Sequence, residues 1–213
     1  DFSNLTAAVT YKGEVFTYIF RVNVNPISNT QRIDYSRKYI FAYYYESHAT
    51  NFNLDHVDKI DYINYSFGGI SASGTLALPN LANLNSVLAL KEHGVQIILS
   101  VGGWGADGFS DAVYTAESRK KLIDSMIDAI RVYGFAGYDI DWEYPGSTAG
   151  GLIKSRPGDI QRFTVFLEEL RVAMDELDPN LVLTIAVGGS VNNYEPAKLT
   201  HILDFLHLMT YDL

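Results

Sequence analysis

The chain has 213 residues, 47% of them hydrophobic and 19% charged, enough to bury a sizeable core as one large domain or one domain plus a piece of another. A net charge of -9 repels phosphate backbones and no Lys/Arg cluster offsets it, which speaks against general nucleic-acid binding. There is no cysteine, which excludes disulfides and thiolate metal sites, and no apolar run approaches the ~20 residues of a membrane-spanning helix.

The chain opens on "DFSNLT", without Met and without a basic n-region, so it reads as a processed or excised start with the targeting signal outside it. "LTAAVTYKGEVFTYIFRVNVN" follows. Val15, Tyr18, Phe20, Val22 and Val24 give a partly alternating pattern after Lys12-Gly13, which predicts a β-hairpin with a glycine turn. A hairpin alone is marginal in water. It is either docked on the larger domain or left over from a small all-β module, and it resembles the closing strands of Ig-like domains in bacterial surface and secreted proteins. "NPISNTQRIDYSR" (25–37) is polar, contains Pro and reads as a linker. The expected division is 1–36 for the hairpin and linker, and 37–213 for the main domain.

After the linker, strands and helices alternate. Strands are predicted at Tyr39–Tyr45, Tyr62–Phe67, Gln96–Val101, Ala136–Asp141, Val182–Val187 and Phe205–Thr210. "LNSVLALKEHG" is a helix closed by Gly94. "TAESRKKLIDSMIDAIRVYG" places Leu122, Met126, Ile127 and Ile130 on one helical face and stops at Gly134. "RPGDIQRFTVFLEELRVAMDELDPN" is a helix with Asp159 as N-cap and Pro179 past its end; "EPAKLTHILDF" is a shorter turn. Strand–helix repetition implies a parallel sheet, either doubly wound or a closed (β/α)8 barrel. Six strands alone suit the open sheet. The stop at "LMTYDL", directly after a strand with no covering helix, is better explained by a TIM barrel cut after strand six.

"GFAGYDIDWEYPG" (134–146) carries the chemistry. Asp139, Asp141 and Glu143 alternate, so a strand points all three to one face at ~6.5 Å spacing. In a barrel that face is the interior, and the C-terminal strand end is the mouth. Carboxylates so close in a partly buried site cannot all ionise at neutral pH, so protons are shared across the set. Glu143, outermost, is then a general acid with a raised pKa, and Asp141 holds a shared proton. A solvated acidic face is the plainer reading, but the aromatic flanks and Pro145 oppose it. A Ca²⁺ or Mg²⁺ site lacks the Asp/Asn-rich loop that supplies further oxygens.

"YDIDWEYP" resembles the D-x-x-D-x-D-x-E signature of glycoside hydrolase family 18, the chitinases and their relatives. Asp139, Asp141 and Glu143 match its last three acids, and Ala136 stands where the first belongs. "ILSVGGW" resembles the family's S-x-G-G strand through Ser100, Gly102 and Gly103. "LMTYDL" resembles its M-x-Y-D strand through Met209, Tyr211 and Asp212. "AYYY" and "INYSFGG" fit strands one and two, so the resemblance covers about 38–213. It implies substrate-assisted retaining hydrolysis of β-1,4-linked N-acetylglucosamine, outside the two-carboxylate scheme. Glu143 would be acid and then base, Asp141 would hold the acetamido N–H, Asp139 would share its proton, and Tyr211 would place the acetamido oxygen. Met209 and Asp212 would line the sugar site, and Ser100 would support the aspartates. Trp104 would stack a sugar on the leaving side and Tyr44 would face the site. Trp142, by alternation, packs between barrel and helix.

No cofactor or metal is called for, and the five His residues have no metal spacing and read as solvated or capping. The expected partner is chitin or another N-acetylglucosamine-containing glycan, with no nucleic acid and no membrane span. The expected protein is a monomer, secreted and bacterial, with its signal peptide outside this chain. Ala136 implies tuning rather than loss. Strands seven and eight, with the family's floor Trp, would lie past residue 213, so the 213-residue piece by itself is expected to be inactive. Two rival readings share the barrel: an endo-β-N-acetylglucosaminidase or peptidoglycan-cleaving relative, and a non-catalytic sugar-binding protein, against which Glu143 speaks.

Overall fold

The computed structural model describes residues 2–11, 14–23, 33–46, 54–149, 151, 153–188 and 190–211; over 2–23 this is the backbone pairing alone. The chain forms two compact units, Asp1–Gln31 and Arg32–Leu213. In the first, β1 (Phe2–Tyr11) and β2 (Glu14–Asn23) pair antiparallel, from Phe2 opposite Asn23 to Tyr11 opposite Glu14. That register is a hairpin, as the alternation predicts; its turn at Lys12-Gly13, and most of the expected linker, lie outside the described residues.

The second unit is a curled half-barrel. Its strands are β3 (Phe41–Tyr45), β4 (Tyr62–Ile70), β5 (Leu76–Ala77), β6 (Gln96–Gly102), β7 (Gly137–Asp141), β8 (Val182–Val187) and β9 (Phe205–Leu208). Six run parallel in sequential order, β3-β4-β6-β7-β8-β9, which is barrel order rather than the reversed order of a doubly wound sheet. All six predicted strands are present. The sequence reading missed β5, which folds back antiparallel on Gly69 and Ile70 of β4. Two residues are too few to show a period.

Helices cover the outer face: α1 (Leu81–Leu88), α2 (Phe109–Ala112), α3 (Ala116–Tyr133), α4 (Asp159–Leu177) and α5 (Pro196–Leu199). Each expected stop signal is in place. A 3-10 turn extends α1 to Gly94, which takes φ 84°, and α3 ends at Gly134 with φ 65°. Thr115 and Ser118 close a reciprocal capping box at the start of α3. One expectation is corrected: Asp159 is not the N-cap of α4. Gly158 takes that place, and Asp159 is the first helical residue, its carboxylate turned back to accept the Arg156 N–H at 2.7 Å.

The central strands are largely buried on both faces, and alternation sorts the two. Outward residues Tyr65, Leu99, Val101, Tyr138, Ile140, Leu183 and Ile185 join α3 and α4 in the main apolar core. Trp142 belongs to it, stacked on Phe109 at 5.2 Å and edge-on to Phe163 at 5.4 Å, so its role is packing. Removing a side chain so buried costs about 3–5 kcal/mol. Inward residues form layers. The floor is apolar: Ile33, Ile98 and Val182, with Phe41, Tyr62, Ala136 and Phe205 around them. Phe41 of β3 meets Phe205 of β9 at 4.9 Å, so the curl brings inward side chains of the first and last strands together. Above the floor the inward positions turn polar: Asn64, Ser66, Ser100, Asp139, Asp141 and Thr184 are all buried.

Candidate active site

The polar layer is built around Asp139, which is fully buried. Three strands bring hydroxyls to it. Ser100 of β6 donates to Oδ2 at 2.7 Å, Thr184 of β8 to Oδ1 at 2.7 Å, and Tyr43 of β3 to Oδ2 at 2.8 Å. Pairing puts Ser100 and Thr184 directly opposite Asp139 on either side. Three hydroxyl donors on two oxygens suit a carboxylate acceptor and fix its rotamer. Burial and the charge of Asp139 push the Tyr43 phenol well above its usual range, so it stays a donor.

Asp141, one rung higher, is only 3% exposed. Its pKa is pushed up to about 8, first by burial and then by the negative charges of Glu143 and Asp139. At neutral pH it therefore holds a proton. Its Oδ1 is buried without a hydrogen-bond partner among the described residues.

Glu143 lies two residues past the end of β7 and is 8% exposed. Tyr144 donates a hydrogen bond to it; burial and then the Glu143 charge push the Tyr144 phenol up to about 12. The three acids thus rise from mid-barrel to mouth, as the alternation predicts.

The S-x-G-G strand has a steric reason beside this ladder. A Cβ on Gly102 would lie 2.1 Å from the Asp141 carbonyl oxygen, and Gly103 N–H donates to that oxygen at 2.9 Å. Only glycine, at φ 123°, lets β6 approach β7 so closely at the mouth. Ala136 packs in the apolar floor with Ile98 and Val182. Strict alternation from Asp139 would turn it outward, but Gly137, at φ 152°, shifts the phase. The missing fourth acid is therefore replaced by floor packing.

A cavity of about 630 Å³ opens beside Asp141, lined also by Tyr43, Ser66, Ala186, His207, Met209 and Tyr211. That size suits a small organic ligand. Tyr211 is 75% exposed at its rim. Trp104 is 65% exposed and stands outside the cavity, edge-on to Tyr144 at 6.4 Å. Asp212 lies outside the described residues.

The expectation that Tyr44 faces the site is corrected. Tyr44 faces outward, packed on Tyr65 at 6.4 Å, and its neighbour Tyr43 enters the site. Three consecutive tyrosines hide the strand's phase, which only the pairing with β4 reveals. The reading of all five histidines as solvated or capping is corrected at His207. Alternation on β9 turns it inward between Phe205 and Met209, where it lies edge-on to Tyr43 at 5.7 Å. Burial pulls its pKa down, against the pull of Asp139. Among the described residues no group of three or more His, Asp or Glu is arranged to hold a metal ion, and no helix is long and apolar enough to cross a membrane.

Fold and site together define a TIM-barrel-type protein whose inner wall ends in a ladder of carboxyl groups. The family model for Glycosyl hydrolases family 18 matches residues 39–213. Among curated proteins the chain is 38% identical over 157 residues to Chitinase A1 of Niallia circulans, covering 68% of this chain and 22% of that one. It is 37% identical over 140 residues to Chitotriosidase-1 of Mus musculus, covering 61% and 29%. Among solved structures it is similar to a family 18 N-acetylglucosaminidase from Paenibacillus barengoltzii (TM-score 0.76, 34% identity, 82% of this chain and 54% of that one). It is also similar to the chitinase domain of the spore coat protein CotE from Clostridium difficile (TM-score 0.74, 35% identity, 88% and 54%). The chain belongs to glycoside hydrolase family 18. It spans about a quarter of the length of these curated relatives and about half of these solved chains.

Proposed function

We propose that the full-length protein is a chitinase-like glycoside hydrolase that cleaves β-1,4-linked N-acetylglucosamine with help from the substrate's own acetamido group. The observation that carries this reading is Asp141: buried, holding its proton at neutral pH, and lining the cavity, with an Oδ1 that no described residue satisfies. A neutral carboxyl with a free acceptor oxygen suits an amide N–H, which an acetamido sugar supplies. Below it Asp139 accepts three hydroxyl hydrogen bonds, which fix its place under Asp141.

Glu143, in its protonated form, gives its proton to the glycosidic oxygen as the C1–O bond breaks. The acetamido oxygen forms a bond to C1 and yields an oxazolinium ion, whose positive charge the aspartate pair stabilises. Tyr211 orients that oxygen, with Met209 and Asp212 beside the ring and Trp104 under the leaving sugar. Glu143 then takes a proton from water, which attacks C1 and restores the acetamido group. We assign the hairpin unit to an N-terminal extension or a remnant of an Ig-like module. We assign the protein to secretion, since its polymeric substrate is extracellular.

Proton NMR of the full-length protein acting on soluble chitooligosaccharides tests this reading. Product appearing first as the β anomer is expected. The α anomer first, or glycan release from a high-mannose glycoprotein without chitooligosaccharide turnover, would overturn it.

A further inference from the structure

The segment bearing Glu143 has left the sheet, because β7 ends at Asp141, so ladder hydrogen bonds no longer hold it. The loop after β8 meets it at two places, with Tyr194 nearby. A Cβ on Gly188 would lie 2.8 Å from the Tyr144 hydroxyl, so the Tyr144 ring rests directly on the glycine backbone. Asn193 Nδ2 donates to the Pro145 carbonyl at 2.8 Å, a partly buried bond spanning 48 residues. Tyr194 packs against the main core, close enough to Tyr144, Asp141 and Glu143 for their charges to raise its pKa beyond what burial does.

These contacts converge on few atoms. Tyr144 hydrogen-bonds the Glu143 carboxylate and touches Trp104 edge-on. Its carbonyl accepts the Ser147 N–H at 3.0 Å, a tight local turn that fixes the segment's shape but not its place on the barrel. Pro145, in the middle of that turn, is the point that Asn193 holds. We infer that Asn193 is a positioning residue for Glu143: its amide clamps the Pro145 carbonyl, seats Tyr144 on Gly188, and so sets where the carboxyl meets the glycosidic oxygen. Asn193 does not touch substrate in this scheme. It acts through the backbone two residues from the acid.

The inference rests on the reading of Glu143 as general acid, and the test separates the two. In the full-length protein, Asn193→Asp keeps the shape but removes the donor and sets a carboxylate against a carbonyl. Asn193→Ala removes the side chain, and Asn193→Gln keeps an amide donor. Kinetics on a soluble chitooligosaccharide should show kcat down about tenfold in the Asp and Ala variants, the loss of about one hydrogen bond's worth of alignment. KM should stay within about twofold. The Gln variant should recover a measurable part of kcat. Hydrogen exchange of the 143–147 amides should speed up in the Asp and Ala variants while the sheet amides and the unfolding midpoint hold. Wild-type kcat and unchanged 143–147 exchange in Asn193→Asp would overturn the clamp. Full activity in a parallel Glu143→Gln variant would overturn the underlying reading, and the exchange data would then judge the clamp alone.

Discussion

Replacing Asp141 by Asn should make the protein more stable at neutral pH while abolishing hydrolysis. The native carboxyl titrates at about 8 against an ordinary value of 3.8. Between those values the unfolded chain releases a proton that the native state keeps. The sign follows: native stability is favoured below pH 4 and is lost progressively as pH rises towards 8. Each pH unit costs about 1.36 kcal/mol, so from 3.8 to neutrality the loss is about 4 kcal/mol. Asn keeps the shape and cannot ionise. For a unit of this size about 4 kcal/mol corresponds to a rise of roughly 10 °C in unfolding temperature. Scanning calorimetry of wild type and Asp141→Asn from pH 5 to 8 reads it. The gap should be small at pH 5 and widen to pH 8. Equal slopes for both proteins, or a variant less stable at every pH, would refute the claim that burial and two neighbouring carboxylates hold the proton on Asp141.

Tyr43→Phe removes one of three hydroxyls from Asp139 but keeps the ring against His207. It should lower kcat/KM roughly tenfold or more with little change in unfolding temperature, and unchanged kcat/KM would contradict the role. Gly102→Ala drives a methyl to 2.1 Å from the Asp141 carbonyl and should destabilise by more than about 4 kcal/mol; circular dichroism melting near wild type would show that the close approach is not needed.

The strands were legible because each is a short apolar run between turn residues, the central four largely buried as a parallel sheet requires. The acid ladder was legible because the period of two is unbroken from Asp139 to Glu143. Where phase was ambiguous the reading slipped. "AYYY" has no polar residue to mark its inner face, so Tyr44 stood in for Tyr43 until the pairing of Tyr43 with Asn64 was known. His207 was missed for a related reason: in "FLHL" a histidine between leucines resembles a polar outward position. Only the inward neighbours Phe205 and Met209 reveal otherwise. Asp159 followed the capping rule in sequence, but Gly158 supplied the φ of 86° that the tight entry into α4 takes. The Asn193–Pro145 bond links loops 48 residues apart, and no local pattern announces it.

The central claim is that Glu143 delivers the proton at the top of this ladder. Glu143→Gln in the full-length protein tests it most directly, with hydrolysis and oligosaccharide binding measured side by side. Hydrolysis should be lost while calorimetric binding of the same chitooligosaccharide persists. A Glu143→Gln protein that still cleaves at the wild-type rate would contradict the account.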